Sequence, residues 1–157
     1  MRIAIGNDHR GFRVKERIAN YLHEHGHDVI DCGAHGEESV DYPLYAAEVA
    51  RTVARGKAER GILICGTGLG MAMAANKVPG INATPAHDDV TAELSRTHND
   101  SNVLCLSADL LGERLIEHIV GIWLKTKFQG GRHGRRIALL RVIEAEPLPK
   151  LSADSSG

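Results

Sequence analysis

Short apolar runs alternate along this chain with segments whose apolar residues recur at helical spacing, and few architectures accommodate that alternation. Ile62, Leu63 and Ile64 have no polar residue between them. This is the pattern of a strand covered on both faces, as in a parallel sheet with helices above and below. Strands are expected near residues 2–6, 28–32, 61–65, 81–84 and 103–107. Between them, Phe12, Ile18 and Leu22 mark one apolar helix face, and Leu44, Ala47, Val49 and Val53 a second. Leu115, Ile116, Ile119, Val120 and Trp123 mark a third. The predicted fold class is α/β: a three-layer α/β/α sandwich around a five-stranded, parallel, Rossmann-like sheet.

At 157 residues the chain suits one domain, expected over residues 1–146, with a disordered Pro- and Ser-bearing tail at 147–157. A last helix is expected near 132–144, striped by Ile137, Leu140, Val142 and Ile143, with no strand left to cross over to. Such a helix closes the domain or packs on a second subunit, so an oligomer is expected. The net charge of -1, with both signs interspersed, offers no bulk attraction for nucleic acid or an anionic membrane. Three widely spaced cysteines outside any CxxC pattern support neither a zinc site nor a disulfide framework. Cys32 and Cys105 are expected to be packing residues. With no signal segment and no apolar run of spanning length, a cytoplasmic protein is expected.

Open α/β sheets bind ligands beyond the carboxyl ends of their strands, where the strand order reverses. The third strand ends at Cys65 and runs directly into Gly66, Thr67, Gly68, Leu69 and Gly70, followed by a helical segment at 71–75. Such a loop can aim backbone N–H groups at one point, which then holds an anion or an oxyanion formed during a reaction. Two other readings stay open on these residues alone. Cys65 could be a small buried side chain above a tight turn. A dinucleotide loop is the other: Met71 stands where GxGxxG wants its third glycine, and Asp88 lies at a distance suited to a ribose contact. The first strand runs into Asp8 and His9, and the fifth is preceded by His98 and Asn99.

Asp8 and His9, then ESVDYP at 38–43, ICGTGLG, AANKVPGI, SRTHND and FQGGRHGRR follow one another in that order. On these motifs, which span about residues 1–144, the chain resembles the ribose-5-phosphate isomerase B family, which also includes galactose- and allose-6-phosphate isomerases. The resemblance implies an aldose-ketose isomerase without metal or cofactor, working through a cis-enediolate on a short sugar phosphate, foremost D-ribose 5-phosphate. It implies Cys65 as the base, with Thr67 and the backbone of Gly66, Gly68, Leu69 and Gly70 as the anion hole. Some members use a glutamate six residues after the cysteine position, where this chain has Met71.

The resemblance further implies His98 as the ring-opening acid and base, with Asn99 a substrate contact beside it. Asp8 and His9 would approach sugar hydroxyls or the phosphate, Tyr42 would line the pocket, and Arg132 and Arg136 would anchor the phosphate. A homodimer or a dimer of dimers is implied, with the His98 segment completing the neighbour's site. One departure concerns the phosphate. Members that use ribose 5-phosphate usually carry a third phosphate-binding arginine where Asp109 stands, and an acid there would repel a dianion. Asp109 gives one alternative, an isomerase of a tetrose, a hexose or an unphosphorylated sugar; a second, an inactive sugar-phosphate-binding subunit, follows from the resemblance, because some family members work as paired, unlike subunits.

Overall fold

The structure, a computed structural model, describes residues 1–146. Strands β1 (Arg2–Asn7), β2 (Asp28–Asp31), β3 (Arg60–Cys65), β4 (Ala83–Pro85) and β5 (Val103–Ser107) form one sheet. Its order is β2-β1-β3-β5-β4, and every neighbouring pair is parallel. The helices are α1 (Phe12–Glu24), α2 (Tyr42–Ala54), α3 (Leu69–Ala75), α4 (Asp89–Thr97), α5 (Glu113–Lys125) and α6 (Gly131–Ala145). This is the expected three-layer sandwich.

Two cores explain why the strands lack polar alternation. Ile3, Ile5, Ile62, Ile64, Leu104 and Leu106 pack with Ile18 and Leu22 of α1, Ala92 of α4, and Ile116, Ile119, Val120 and Trp123 of α5. The intervening Ala4, Leu63, Cys65, Val103 and Cys105 turn to the other face, against Ala46, Val49, Ala50 and Val53 of α2 and Met71, Ala72 and Ala75 of α3. Successive strand residues therefore serve opposite helical layers.

The structure moves some details. The buried face of α2 begins at Ala46, while Leu44 is 71% exposed and Ala47 lies off the face. Residues 46, 49, 50 and 53 follow the i, i+3, i+4, i+7 rule, and position 44 falls outside that stripe. Strand four begins two residues later than expected, because the Asn82 backbone N–H goes to the Asn102 side chain at 2.8 Å. Helix α4 has no counterpart among the predicted faces; Asp88 caps it by accepting from Thr91 N–H.

Helix α6 follows the last strand, as expected. Leu139, Leu140, Val142 and Ile143 stay exposed on it. Arg141 ties it back, donating to Asn82 Oδ1 at 2.9 Å, and Glu144 accepts from Gly80 N–H at 3.0 Å. The tail expected at 147–157 lies outside the described residues. Among the described residues no helix is long and apolar enough to cross a membrane.

Candidate active site

From β1 the chain crosses one way to β2 and the other way to β3, so the strand order reverses between β1 and β3. Their carboxyl ends lie side by side, Asn7 opposite Ile64, with Asp8 N–H donating to Ile64 O at 3.1 Å. Cys65 ends β3 in the crevice this creates.

The Cys65 side chain is almost wholly buried, and its Sγ accepts the Gly68 N–H at 3.1 Å. Gly68 has φ +79° and caps α3, a backbone region that an L side chain enters only at a cost. The turn thus bends back under the sulfur, and a donor aimed at sulfur stabilises a thiolate more than a thiol. Burial pushes the thiols of both other cysteines up, Cys105 most strongly, with Cys65 adding to the effect there.

The turn is pinned from β5. Ser107 Oγ donates to Gly66 O at 2.6 Å, and Asp109 N–H donates to the same carbonyl at 3.1 Å. Thr67 Oγ1 accepts Leu69 N–H at 3.3 Å, while the Thr67 carbonyl faces His87 Nε2 at 3.1 Å. Tyr42 opens α2 and closes on Gly70: a Cβ at Gly70 would lie 2.7 Å from the tyrosine Cζ. A bare backbone there is what lets the ring reach the turn.

Beside the thiol, Asp8 is buried, and its Oδ1 accepts the N–H groups of Arg10 at 2.9 Å and Gly11 at 3.1 Å. Its Oδ2 remains available to a hydroxyl. His9 Nδ1 accepts Val40 N–H at 3.3 Å, which assigns the proton of the neutral ring to Nε2 as a donor. Asp109 gives both carboxylate oxygens to Arg10 Nε, at 3.1 and 2.8 Å.

The remaining residues lie elsewhere. His98 and Asn99 end α4 and precede β5, at the amino edge of the sheet. Cys65 is level with Ser107 at the other end of β5. Four residue steps of about 3.3 Å, about 13 Å in all, separate the two levels. His98 stacks on His133, with centroids 4.1 Å apart and planes 4° from parallel. Arg132 Nε lies 3.5 Å from His133 Nε2. Burial holds the His133 imidazole below its ordinary value, and His98, Arg132 and Arg136 depress it further. The predicted residues therefore fall into two groups. Asp8, His9, Tyr42, the glycine turn with Cys65, and Asp109 share the carboxyl edge, while His98, Asn99, Arg132 and Arg136 share the region beyond the amino edge.

Asp88 belongs to neither group. Its carboxylate is taken by Thr91 N–H, and it follows the edge strand β4, so it offers nothing to a ribose at the switch between β1 and β3. Sequence reasoning passed over Arg10, His87 and His133. Arg10, His87 and His133 each adjoin a singled-out residue, and His87 reaches the turn because the sheet order brings the segment after β4 beside it.

A parallel α/β sheet with a thiol over a glycine turn at its switch point fits an enzyme of the aldose-ketose isomerase class. The Ribose/Galactose Isomerase family model matches residues 3–140, and the chain belongs to that family. It is 46% identical over 143 residues to ribose-5-phosphate isomerase B of Escherichia coli (strain K12), covering 91% of this chain and 96% of that protein. The solved ribose-5-phosphate isomerase B of Clostridium thermocellum superposes with a TM-score of 0.91 at 50% identity, covering 92% of this chain and 97% of that one. That of Mycoplasma genitalium, solved with bound ribulose-5-phosphate, gives 0.90 at 40% identity, with 93% and 97% covered.

Proposed function

We propose that this chain interconverts D-ribose 5-phosphate and D-ribulose 5-phosphate through a cis-enediolate, with Cys65 as the base and residues 1–146 as the isomerase domain. The observation that carries the reading is the Cys65 sulfur, held by Gly68 N–H above a glycine turn at the switch point. A C–H beside a carbonyl is a weak acid, so its removal needs a placed base and donors for the oxygen that becomes negative. The Cys65 thiolate takes the proton from C2 while charge develops on O1. A proton passes from O2 to O1, and the thiol returns its proton to C1. Aldose and ketose are isomers, so nothing else is consumed.

In this reading Thr67 and the backbone of residues 66–70 face the enediolate, while Asp8, His9 and Tyr42 hold the sugar. His98 opens the ring by moving a proton between the ring oxygen and the anomeric hydroxyl. Arg132 and Arg136 hold the phosphate, which suits guanidinium forks. These three stand apart from Cys65 in one chain, so the site needs two copies: the thiol edge of one and the His98 group of the other. The exposed Leu139, Leu140, Val142 and Ile143 of α6 give such a homodimer, or a dimer of dimers, an apolar surface to bury.

Complementation tests the reading. Cys65→Ala and His98→Ala are each expected to leave little or no turnover of ribose 5-phosphate. After unfolding, mixing and refolding together, half of the dimers carry both variants and one of their two sites is intact. About a quarter of wild-type activity should return. A Cys65→Ala protein with most of its activity would remove the base, and mixed dimers without activity would remove the shared site.

A further inference from the structure

Asp109 was expected to repel a phosphate, yet the structure shows its charge already engaged. Arg10 comes from the His9–Gly11 turn after β1, and Asp109 from the turn after β5. Those two strands flank β3, so both side chains overhang its end. A Cβ at Gly66, the residue after Cys65, would lie 2.7 Å from Asp109 Oδ2 and 3.6 Å from Arg10 Cδ. The pair therefore sits directly over the start of the glycine turn.

The way the two are joined matters. Both bonds use Arg10 Nε, leaving Nη1 and Nη2 with no partner among the described residues. A guanidinium carries five N–H donors, so four remain for another acceptor, in the planar arrangement that matches phosphate oxygens. The Arg10 side chain is 58% exposed and that of Asp109 36%. An ion pair so open to water adds little to stability. Its physical content is orientation: Asp109 holds the inner edge of the guanidinium, and the Asp8 carboxylate holds the backbone N–H of the same residue. His9, one residue earlier, accepts Val40 N–H at Nδ1 and so keeps Nε2 as a donor.

We propose that Arg10, oriented by Asp109, is a phosphate-binding residue of this site, supplying from β1's turn a cation that the segment after β5 lacks. The inference rests on the reading above that the substrate is a sugar phosphate. Arg10 then meets the phosphate from the thiol-bearing chain, and Arg132 and Arg136 meet it from the neighbour. The electrostatic penalty expected of Asp109 is cancelled within the pair, and the arginine provides the fork.

Two variants, Arg10→Ala and Arg10→Ala/Asp109→Ala, separate binding from mere neutralisation of Asp109. The first readout is the kinetics of D-ribose 5-phosphate, and the second is calorimetric binding of inorganic phosphate, which needs no turnover. Both variants should raise KM and the phosphate Kd by about tenfold to a hundredfold, the loss mainly in KM, because a hydrogen-bonded charge is removed. The melting temperature should stay near that of the wild type. If the double variant recovers wild-type KM and Kd, Arg10 serves only to neutralise Asp109 and the proposal is overturned. Unchanged KM and Kd in Arg10→Ala overturn it equally. If the wild type binds phosphate through Arg10 but isomerises no ribose 5-phosphate, the proposed function fails while the phosphate contact stands.

Discussion

Gly68→Ala probes the link between backbone conformation and the thiol. At φ +79° an alanine must adopt the left-handed region, at about 1–2 kcal/mol. Its Cβ would also lie 3.2 Å from the Leu106 carbonyl carbon and 3.3 Å from the Cys105 carbonyl group, both backbone of β5, which can yield only slightly. Together these put the loss at about 2 kcal/mol, or about 4–8 °C in melting temperature for a chain of this size. The second consequence is chemical. Alanine keeps the N–H, but relief of strain toward negative φ swings that donor away from Cys65 Sγ. Under the proposed function, kcat should then fall by about tenfold to a hundredfold, the cost of losing one hydrogen bond to a charged group, here the thiolate. Asparagine tolerates the left-handed region better than alanine, so both quantities should rank Gly68, then Gly68→Asn, then Gly68→Ala. Calorimetric melting and initial rates on ribose 5-phosphate give the two series. An alanine variant as stable as the wild type, or less damaging than the asparagine one, would refute the reasoning.

Lys15 is 2% exposed and donates to Asp31 Oδ1 at 3.0 Å and Ala34 O at 2.7 Å. Lys15→Met keeps the volume but strands the Ala34 carbonyl, while half-exposed Asp31 can rehydrate, so urea unfolding should show a loss of about 1–3 kcal/mol. For His133, burial and then His98, Arg132 and Arg136 hold the imidazole below its ordinary value of 6.5, so the unfolded chain takes up a proton that the folded chain resists. Stability is therefore greatest above that ordinary value and declines as pH falls from it through the depressed one. Melting temperatures of His133→Gln between pH 7 and 5 should fall less steeply than those of the wild type; parallel curves would contradict this.

The central strands β1, β3 and β5 were legible because each serves two cores and so lacks polar alternation, as 62–64 and 103–106 show. Helix α4 was not, because its buried face includes Ser95, Arg96 and Thr97 rather than aliphatic side chains. Those groups are satisfied locally, Ser95 and Thr97 donating to carbonyls one turn back and Arg96 to Ser101 O and Asp100. A helix that buries hydrogen-bonded polar residues shows no apolar period. Similarly, Arg10 and Asp109 are 99 residues apart, and only the placement of β1 and β5 on either side of β3 brings them together. Sequence proximity suggested a charge that repels phosphate; the sheet order supplies the partner that cancels it.

The same sheet order gives the two groups of site residues a thermodynamic consequence under the proposed function. Each chain carries the thiol half of a site at one edge and the His98 half at the other, so a two-fold pair completes two sites at once. Substrate that bridges both halves binds the dimer and not the monomer. It therefore stabilises association by RT ln(1 + [L]/Kd) for each site, about 2.7 kcal/mol when ligand is at a hundred times Kd. Dilution that lowers activity in the absence of ligand should thus be opposed by saturating sugar phosphate, and Arg10→Ala/Asp109→Ala should weaken that protection in step with its loss of phosphate affinity. A site wholly contained in one chain would show neither effect, since its ligand would bind monomer and dimer alike and leave their equilibrium unmoved.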